Sequence, residues 1–387
     1  MASAEATVRR ALKAAAARLP ELFVPGARLV VGYSGGQDST CLVHALSGPR
    51  ARLEVVAAHV DHALRPDSGE TAERAREAAA AMGVACEVRR VDVGAYRRGL
   101  PAWSVQQAAR AARYHVLARV AREQQAAALL VAHTADDQAE TVLLNLLRGS
   151  GLAGRAGMPL EERLEPRRLG PPLTEPPTDA SELSLQVGPE LLEKRDKGGV
   201  LLARPLLKVT RATTLAYCAE AGLTVIEDAS NQARDFTRNR VRLDLLPTLE
   251  GFNPSIREVL ARTADLAGED VAALDAVVEA IFASVVRNVH GDSLELDLRL
   301  FQAQPRALQR RLLRRGLQSL QGSLVDVRAA PIDDALEVIQ SGSLSSTYHL
   351  PHGVEMCINS TTILLRLYGK ARRPNRANTW DYGVPQL

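Results

Sequence analysis

A short run of small and polar residues near the amino terminus has the composition of a phosphate-binding loop. The run SGGQDS follows the apolar segment 28–33 and precedes a helix-like stretch. Glycine lets successive backbone N–H groups turn toward one anion, and the positive amino end of the following helix adds to the attraction. The predicted phosphate-binding residues are Ser34, Gly35, Gly36, Gln37, Asp38 and Ser39.

This loop differs from the Walker loop, because the chain contains no GxxxxGK[ST] segment. A Walker lysine serves transfer at the γ-phosphate, whereas a loop that holds pyrophosphate as a leaving group suits attack on the α-phosphate. Asp38 would repel a phosphate, so we expect it to act through Mg²⁺. The loop therefore predicts an enzyme that activates its substrate by adenylation with ATP.

Polar residues also close the second predicted strand and cover one face of a later helix. His59, Asp61 and Arg65 lie at the strand end, where side chains can border the adenine, the ribose or a phosphate of ATP. Arg110 and Arg113 are three residues apart and therefore share a helical face. Two arginines there could meet a phosphate, and a solvated face is the plainer alternative.

Carboxylates gather at the start of the helix after the fourth predicted strand. Asp137 and Glu140 share a helical face, and His133 stands just before the helix. Carboxylates beside a phosphate loop suit Mg²⁺ binding or proton transfer, so Asp38 and Asp137 are predicted to hold the metal. The plainer alternative is capping of the helix amino end, which suffices as a role for Asp136.

Arginine-rich segments mark the second half of the chain. The segment 237–242 could follow a phosphate backbone, and structural ion pairs with Asp228 and Asp235 are the alternative. A helix over 305–320 carries five arginines with little acid nearby, which suits a tRNA stem. The residues of these two segments that are predicted to contact RNA are Arg238, Asn239, Arg240, Arg242, Arg306, Arg310, Arg311, Arg314 and Arg315.

Strand-like and helix-like segments alternate four times over residues 28–148. The alternation predicts an α/β fold, a parallel sheet with helices on both faces, which binds ligands beyond the carboxyl ends of its strands. Residues 161–199 are predicted to be an exposed insertion or mobile loop, 223–226 a further strand and 255–283 one long helix. The predicted parts are an ATP-binding domain (1–245), a helical connector (246–290), a smaller α+β tRNA-binding domain (291–370) and a loose tail (371–387).

The composition is that of an ordinary core-forming protein. Of 387 residues, 46% are hydrophobic, and the net charge of +3 does not by itself predict a nucleic-acid partner. The four cysteines lie far apart, which excludes a CxxC metal site and favours a reducing, cytoplasmic compartment. No run of eighteen apolar residues appears, so no membrane partner is expected, and the Ala- and Arg-rich start is predicted to be an amphipathic helix rather than a transit peptide. The oligomeric state stays open, with a homodimer as one alternative.

Taken together, these motifs resemble a known family. SGGxDS resembles the loop of the PP-loop ATP pyrophosphatases. The further segments are similar to those of the tRNA(Ile)-lysidine synthetases: HVDHALR from position 59, ARAARY from 109, HTADDQAET from 133, RGSGL from 148, ARPLL from 203, DASN from 228 and TRNRVR from 237. The resemblance covers residues 27–260 and continues weakly beyond. Arg155 stands where the family pattern has leucine, which leaves the packing of that loop open.

The resemblance implies a PP-loop fold of the adenine-nucleotide α-hydrolase type and a two-step ligation that uses ATP and Mg²⁺. The C2 carbonyl oxygen of the wobble cytidine in tRNA(Ile) with anticodon CAU attacks the α-phosphate, pyrophosphate leaves, and the ε-amine of L-lysine then displaces AMP. The implied catalytic residues are Arg113, His133, Asp137, Glu140 and Arg204, and the resemblance adds Arg110, Arg148 and Asn231 to the expected contacts with RNA. Arg204 would contact the nucleotide or the adenylated intermediate, and His133 or Glu140 would take the proton of the amine.

Rival functions stay open at this point. Thiolation of tRNA on the same scaffold usually needs paired cysteines, and amidation of a small substrate needs a glutaminase region, neither of which is evident. An inactive tRNA-binding module would have no need of Ser34, Asp38, Asp137 and Glu140 together. Release of pyrophosphate from ATP in the presence of tRNA separates such a module from any of the enzymes.

Overall fold

The computed structural model describes residues 3–48, 51–65, 67–100, 103–164, 199–226, 237–321, 329–342 and 347–368. The described residues up to Glu269 form one compact unit, and those from Asp270 onward form a second. Asn231, the acidic residues of segment 227–236, most of the predicted insertion and the predicted tail lie outside the described residues. The predicted boundaries at 245 and 290 stay a prediction.

The first unit consists of a sheet and the helices around it. Its strands are β1 (Arg28–Gly32), β2 (Glu54–Asp61), β3 (Ala85–Arg90), β4 (Ala128–Leu130), β5 (Glu161–Leu164) and β6 (Val200–Ala203). Its helices are α1 (Ala4–Arg18), α2 (Gln37–Ser47), α3 (Ser68–Ala81), α4 (Val93–Arg98), α5 (Val105–Glu123), α6 (Ala135–Leu147), α7 (Leu152–Arg155), α8 (Arg211–Glu220), α9 (Thr237–Arg240), α10 (Leu246–Glu250) and the first half of α11 (Ile256–Val285). Pro20–Leu22 and Val241–Leu245 form short 3-10 and π turns.

The strand order β3-β2-β1-β4-β6-β5 confirms the predicted parallel sheet. Neighbouring strands from β3 to β6 run parallel, and β5 pairs antiparallel with β6 at the edge. Strand β1 lies inside the sheet, and Leu29, Val30 and Val31 are fully buried, as expected for a strand covered on both faces. The carboxyl ends of the parallel strands share one edge of the sheet, so the polar motifs that follow them are brought together.

Two local predictions in this unit are wrong. Residues 223–226 do not form a strand but pack as a loop against the glycine turn, where Ile226 N donates to the Gly35 carbonyl (2.9 Å). The predicted insertion begins later than residue 161, because Glu161–Leu164 forms β5. Both errors have one cause: pairing with a distant strand, not local composition, decides whether a short segment becomes a strand.

The second unit is an antiparallel sheet with helices, which confirms the predicted α+β character. The strand order is β7-β8-β11-β10-β9, and Val354, Met356 and Ile358 of one strand are buried while the residues between them are partly exposed. Within the described residues, no helix has the length and apolar character needed to span a membrane. The elements are β7 (Val286–His290), β8 (Ser293–Asp297), α12 (Leu298–Gln302), α13 (Arg306–Gln321), α14 (Ala329–Gln340), β9 (Thr347–Leu350), β10 (Val354–Ile358) and β11 (Thr362–Leu367).

Candidate active site

The loop after β1 has the shape of an anion cradle. Gly35 has a φ of +81°, and a Cβ at this position would lie 2.7 Å from the Ile226 Cδ1 atom, so the turn requires glycine. Ser39 Oγ accepts a hydrogen bond from Ser34 N (3.2 Å) and donates to the Gly36 carbonyl (2.9 Å), which fixes the loop. Among the described residues no side chain caps α2, so the N–H groups of its first turn can bind a phosphate.

Asp38 lies in the first turn of α2 and faces the amino end of α8. Its carboxylate accepts a hydrogen bond from Thr214 Oγ1, and Arg211 Nε lies 3.5 Å from its other oxygen. Burial raises the pKa of Asp38 to about 6, an effect that Thr214 opposes and Asp137 strengthens. Gln37 also reaches α8, since its Nε2 donates to the Arg211 carbonyl (2.8 Å). The phosphate loop and α8 are therefore held together by polar contacts.

Two carboxylates and three arginines form a buried group next to the loop. We call Asp137, Glu140, Arg211, Arg238 and Arg242 the carboxylate–arginine cluster. Glu140 has no exposed surface and accepts hydrogen bonds from Arg238 Nε (2.6 Å), Arg242 Nε (2.7 Å) and Arg211 Nη1 (2.9 Å). Burial alone would raise the pKa of both carboxyls, but the arginines outweigh it and lower both values. Both acids therefore stay ionised in the folded protein.

The two oxygens of Asp137 are fully engaged. Oδ1 accepts from Arg238 Nη2 (2.9 Å) and from Arg211, and Oδ2 accepts from the backbone N of Thr134 (2.9 Å), which is the capping residue of α6. Capping, predicted for Asp136, is therefore performed by Thr134 and Asp137, each of which accepts a hydrogen bond from the backbone N of the other. Asp136 instead accepts from Arg211 N (2.8 Å) at the start of α8.

This geometry bears on the predicted metal ligands. The described residues contain no group of three or more His, Cys, Asp and Glu side chains that could hold a metal ion. Mg²⁺ commonly takes one or two carboxylates and completes its shell with phosphate oxygens and water. Asp38 fits that pattern, because Arg211 at 3.5 Å is the partner of its second oxygen among the described residues. Asp137 does not fit it in this arrangement, because arginines and Thr134 occupy both of its oxygens.

His133 and Arg204 are in direct contact. Arg204 Nε donates to His133 Nδ1 (3.2 Å), and Arg204 also donates to the Pro159 carbonyl (2.9 Å) and pairs with Glu162. Burial, reinforced by Arg204 and other nearby arginines, lowers the pKa of His133 well below its ordinary value. Arg204 has no exposed surface, so the structure does not support its predicted direct contact with the nucleotide.

Two of the three polar residues at the end of β2 are buried and contact the backbone near the phosphate loop or their own turn. His59 is buried, and its Nδ1 lies 3.0 Å from the Tyr33 carbonyl, which precedes the phosphate loop. Burial lowers the pKa of His59. Asp61 is also buried and accepts from Ala63 N (2.9 Å), whereas Arg65 is exposed. Of the three, Arg65 has the side chain most accessible to a ligand.

The two arginines of α5 share one aromatic neighbour, which agrees with their predicted common face. The guanidinium of Arg110 lies 4.7 Å from the centre of the Tyr114 ring, and that of Arg113 lies 5.5 Å from it. Burial lowers the pKa of Arg110 to about 10, and its Nε has no hydrogen-bond partner among the described residues. Arg110 and Arg113 are both partly exposed, so burial does not decide which of the two meets a ligand.

The structure separates the residues that were predicted to contact RNA. Arg238 and Arg242 belong to the carboxylate–arginine cluster, so they pair with acids of α6 and are not available to a phosphate backbone. Arg148 and Arg240 are exposed, and Asn239 is partly exposed. In the first unit, Arg148 and Arg240 therefore remain as candidates for RNA contact.

In α13, the expectation of little acid nearby is wrong. Acidic side chains of α11 and α14 pair with four of its five arginines, and Arg314 is half-buried with a pKa that burial lowers. The acids lie 23 to 36 residues away in sequence, so local composition did not reveal them. The pairs are Arg306 with Glu337, Arg310 with Asp333, Arg311 with Asp275 and Arg315 with Glu279.

Three residues of the site stand outside the motifs. Arg211 contacts Asp38 and two members of the cluster, Thr214 contacts Asp38, and Glu162 pairs with Arg204. A weak signal for Arg211 does exist in the sequence. Thr210 caps α8 with its side chain, so Arg211 begins a helix that three residues separate from the ARPLL segment. Glu162 has no comparable signal.

Comparison with known proteins assigns the family. A PP-loop domain family model matches residues 5–249. A tRNA(Ile)-lysidine synthase of Gloeobacter violaceus is 37% identical over 82% of this chain and 83% of the relative. Those of Geobacillus kaustophilus and Dehalococcoides mccartyi are 33% and 35% identical over 87% and 82% of this chain, which spans 66% and 62% of their lengths, slightly under two thirds. By these matches, the chain belongs to the tRNA(Ile)-lysidine synthase family of PP-loop proteins.

Proposed function

We propose that this chain joins L-lysine to C2 of the wobble cytidine of tRNA(Ile) with anticodon CAU, giving lysidine, AMP and pyrophosphate. The observation that carries the proposal is the loop of residues 34–39, whose glycine turn and open helix end suit pyrophosphate as a leaving group. The names of the related proteins and the shared motifs support the same reaction.

In the first step, the cytidine C2 oxygen bonds to the α-phosphorus, and the bond from that phosphorus to pyrophosphate breaks. The N–H groups of the loop bind the departing phosphates, and Arg113 offers positive charge to the α-phosphate. When bound with ATP, Mg²⁺ would offset phosphate charge, with Asp38 as its protein ligand. Asp38 is ionised above a pH of about 6, so it can serve in this way at neutral pH.

In the second step, the ε-amine of lysine bonds to C2, the bond from C2 to the AMP oxygen breaks, and the amine proton passes to water. Glu140 is not the base in this scheme, because three arginines occupy its oxygens and its pKa is lowered. Its role, shared with Asp137, is to fix Arg211, Arg238 and Arg242 beside the reacting groups. The cluster therefore keeps its charged side chains in fixed positions beside the substrates.

Contacts with RNA form a further part of the proposal. Arg148 and Arg240 are exposed in the first unit and would bind phosphates near the modified base. Residues 291–370 would bind another part of the tRNA, and the reaction would take place in the cytoplasm, where free lysine, ATP and tRNA are present.

The test is incorporation of labelled lysine into an unmodified tRNA(Ile) transcript with anticodon CAU, with and without ATP. We expect ATP-dependent label on this transcript and none on methionine tRNA, which has the same anticodon letters. Pyrophosphate release without label would keep adenylation and point to another nucleophile or RNA. Absence of both signals would reject the enzyme and favour a binding module.

A further inference from the structure

A line of three polar side chains leads from the edge of the sheet to the active site. Glu162 lies on the edge strand β5, Arg204 directly follows β6, and His133 lies between β4 and α6. Sheet pairing fixes their relative positions, since Arg204 N donates to the Leu160 carbonyl (2.8 Å) and Val131 N donates to the Ala203 carbonyl (3.0 Å). The three residues thus come from neighbouring strands in a register that the backbone holds.

Arg204 is the centre of this line and is the largest fully buried side chain among the described residues. Its guanidinium is fully buried, and each nitrogen has a partner: Nε has His133 Nδ1, Nη1 has the Pro159 carbonyl and Nη2 has the Glu162 carboxylate. A buried guanidinium loses its hydration, and a neighbouring negative charge offsets much of that cost. Glu162, with a side chain 20% exposed, is the acid that pairs with it among the described residues.

The contact between Arg204 and His133 decides the position of the imidazole hydrogen. A guanidinium N–H can only donate a hydrogen bond, so the Nδ1 atom that faces it must offer a lone pair. Burial and nearby arginines keep the ring neutral, as its lowered pKa indicates. A neutral imidazole carries one hydrogen, which is therefore on Nε2.

We propose that His133 serves the first step as a hydrogen-bond donor through Nε2–H, and that Glu162 and Arg204 are positioning residues that hold it in this tautomer. The inference rests on the proposed function, in which oxygens of the α-phosphate gain negative charge as the cytidine attacks. A fixed neutral donor stabilises such an oxygen without transferring its proton. The same geometry removes His133 from the role of base toward the lysine amine, because its only lone pair is used by Arg204.

The tautomer can be measured without any substrate. The protein would be labelled with ring-¹⁵N histidine, and the His133 signals assigned by their loss in His133→Gln. We expect an unprotonated Nδ1 and a protonated Nε2 in the wild-type protein at neutral pH. Hydrogen on Nδ1, or on both nitrogens, would overturn the proposal.

The positioning role is tested with a double variant that avoids an unpaired buried charge. Glu162→Leu/Arg204→Leu replaces the buried pair by apolar side chains, a change that folds often tolerate. We expect His133 to populate both tautomers and to protonate more readily as the pH falls. Glu161→Leu, at the exposed neighbouring position of β5, is the matched control and should leave the His133 signals unchanged. A single Nε2–H tautomer in the double variant would reject the role of Glu162 and Arg204.

Activity gives an independent check, because Gln and Asn imitate different imidazole nitrogens. The amide nitrogen of Gln lies roughly where Nε2 lies, and that of Asn roughly where Nδ1 lies. We expect His133→Asn to lose about 100-fold in the rate of pyrophosphate release, the usual effect of removing one oxyanion donor. His133→Gln should keep at least about tenfold more activity than His133→Asn. Equal losses would contradict the donor role, whereas absence of pyrophosphate release from the wild-type protein would reject the proposed function and leave the tautomer measurement valid.

Discussion

The carboxylate–arginine cluster of the first unit and helix α13 of the second unit both pair arginines with acids, but in different surroundings. Glu140 has no exposed side-chain surface, whereas the side chain of Glu337, which pairs with Arg306 on the second unit, is 64% exposed. Water screens the surface pair and solvates either partner when the other is lost. Water does not compensate in the same way in the buried cluster. The loss of one partner therefore costs more stability there than on the surface of the second unit.

The largest expected effect is on stability, from removal of the central acid. Glu140→Gln leaves three arginines with one negative charge fewer in a buried place, and we expect the free energy of unfolding to fall by about 3–5 kcal/mol. The measurement is urea unfolding followed by circular dichroism. Glu337→Gln is the surface control and should cost less than about 1 kcal/mol. Similar losses in the two variants would remove the distinction between the regions.

Arg211 should matter next most, through catalysis. It bridges Asp38, the proposed ligand of Mg²⁺, to Asp137 and Glu140, so its replacement removes the contacts that fix Asp38 beside the cluster. We expect Arg211→Lys to lower the rate of pyrophosphate release by about 100-fold, because an ammonium cannot make the fork of contacts that a guanidinium makes. Lys208→Ala removes an exposed cation three residues earlier and should be nearly silent. Wild-type rates for Arg211→Lys would show that the bridge is dispensable.

A smaller effect should appear in the dependence on pH. Because the pKa of Asp38 is about 6 in the fold and 3.8 is its ordinary value, the fold binds a proton between these pH values. The contribution of Asp38 to the free energy of unfolding therefore increases as the pH falls through that window. Over the same window, Asp38 loses the negative charge that it would need to bind Mg²⁺. We expect the KM for Mg·ATP to rise as the pH drops through about 6. Thr214→Val removes a hydrogen bond that lowers this pKa and should shift the rise to higher pH; an unshifted profile would contradict the assignment to Asp38.

The smallest effect concerns the surface arginines of α13. Asp333 and Asp275 already offset the charges of Arg310 and Arg311, so each arginine has only part of its attraction left for RNA. Arg310→Gln and Arg311→Gln should each weaken tRNA binding by no more than about threefold and make its salt dependence slightly shallower. Filter binding at several salt concentrations measures both quantities. A loss of a hundredfold would instead show a direct and well-formed phosphate site.

Much of the fold was predictable, because local pattern and final structure agree where segments are long or strongly apolar. The run over 28–33 became β1, and the periodic segment over 255–283 became α11. Strand β5 was missed because Glu161–Leu164 is short and charged, and only its pairing with β6 makes it a strand. The strand prediction for residues 223–226 was wrong for the opposite reason. This segment is apolar and β-branched, but it pairs with no strand among the described residues.

The sequence indicated part of the site, but it missed Arg211, Thr214 and Glu162 and gave none of the contacts between the members. The motifs identified Asp137 and Glu140 as special, but their partners Arg211 and Arg242 lie 74 and 102 residues further along the chain. Which acid meets which arginine depends on how helices pack, and spacing in the sequence contains no information on that. For the same reason Arg204 was expected to contact the nucleotide or the adenylated intermediate, whereas in the structure it donates a hydrogen bond to His133.

The hairpin of β5 and β6 has a consequence for the length of its connecting segment. Leu164 pairs with Val200 and Glu161 pairs with Ala203, so the two ends of the connecting segment are held together by the sheet itself. The entropy of closing a connection grows only slowly with its length. The pairing of Glu162 with Leu202 in this hairpin therefore holds Glu162 two residues away from the register of Arg204 through backbone hydrogen bonds, and a doubling of the length of the connection would raise the entropic cost of closing the pair by only about 0.6 kcal/mol.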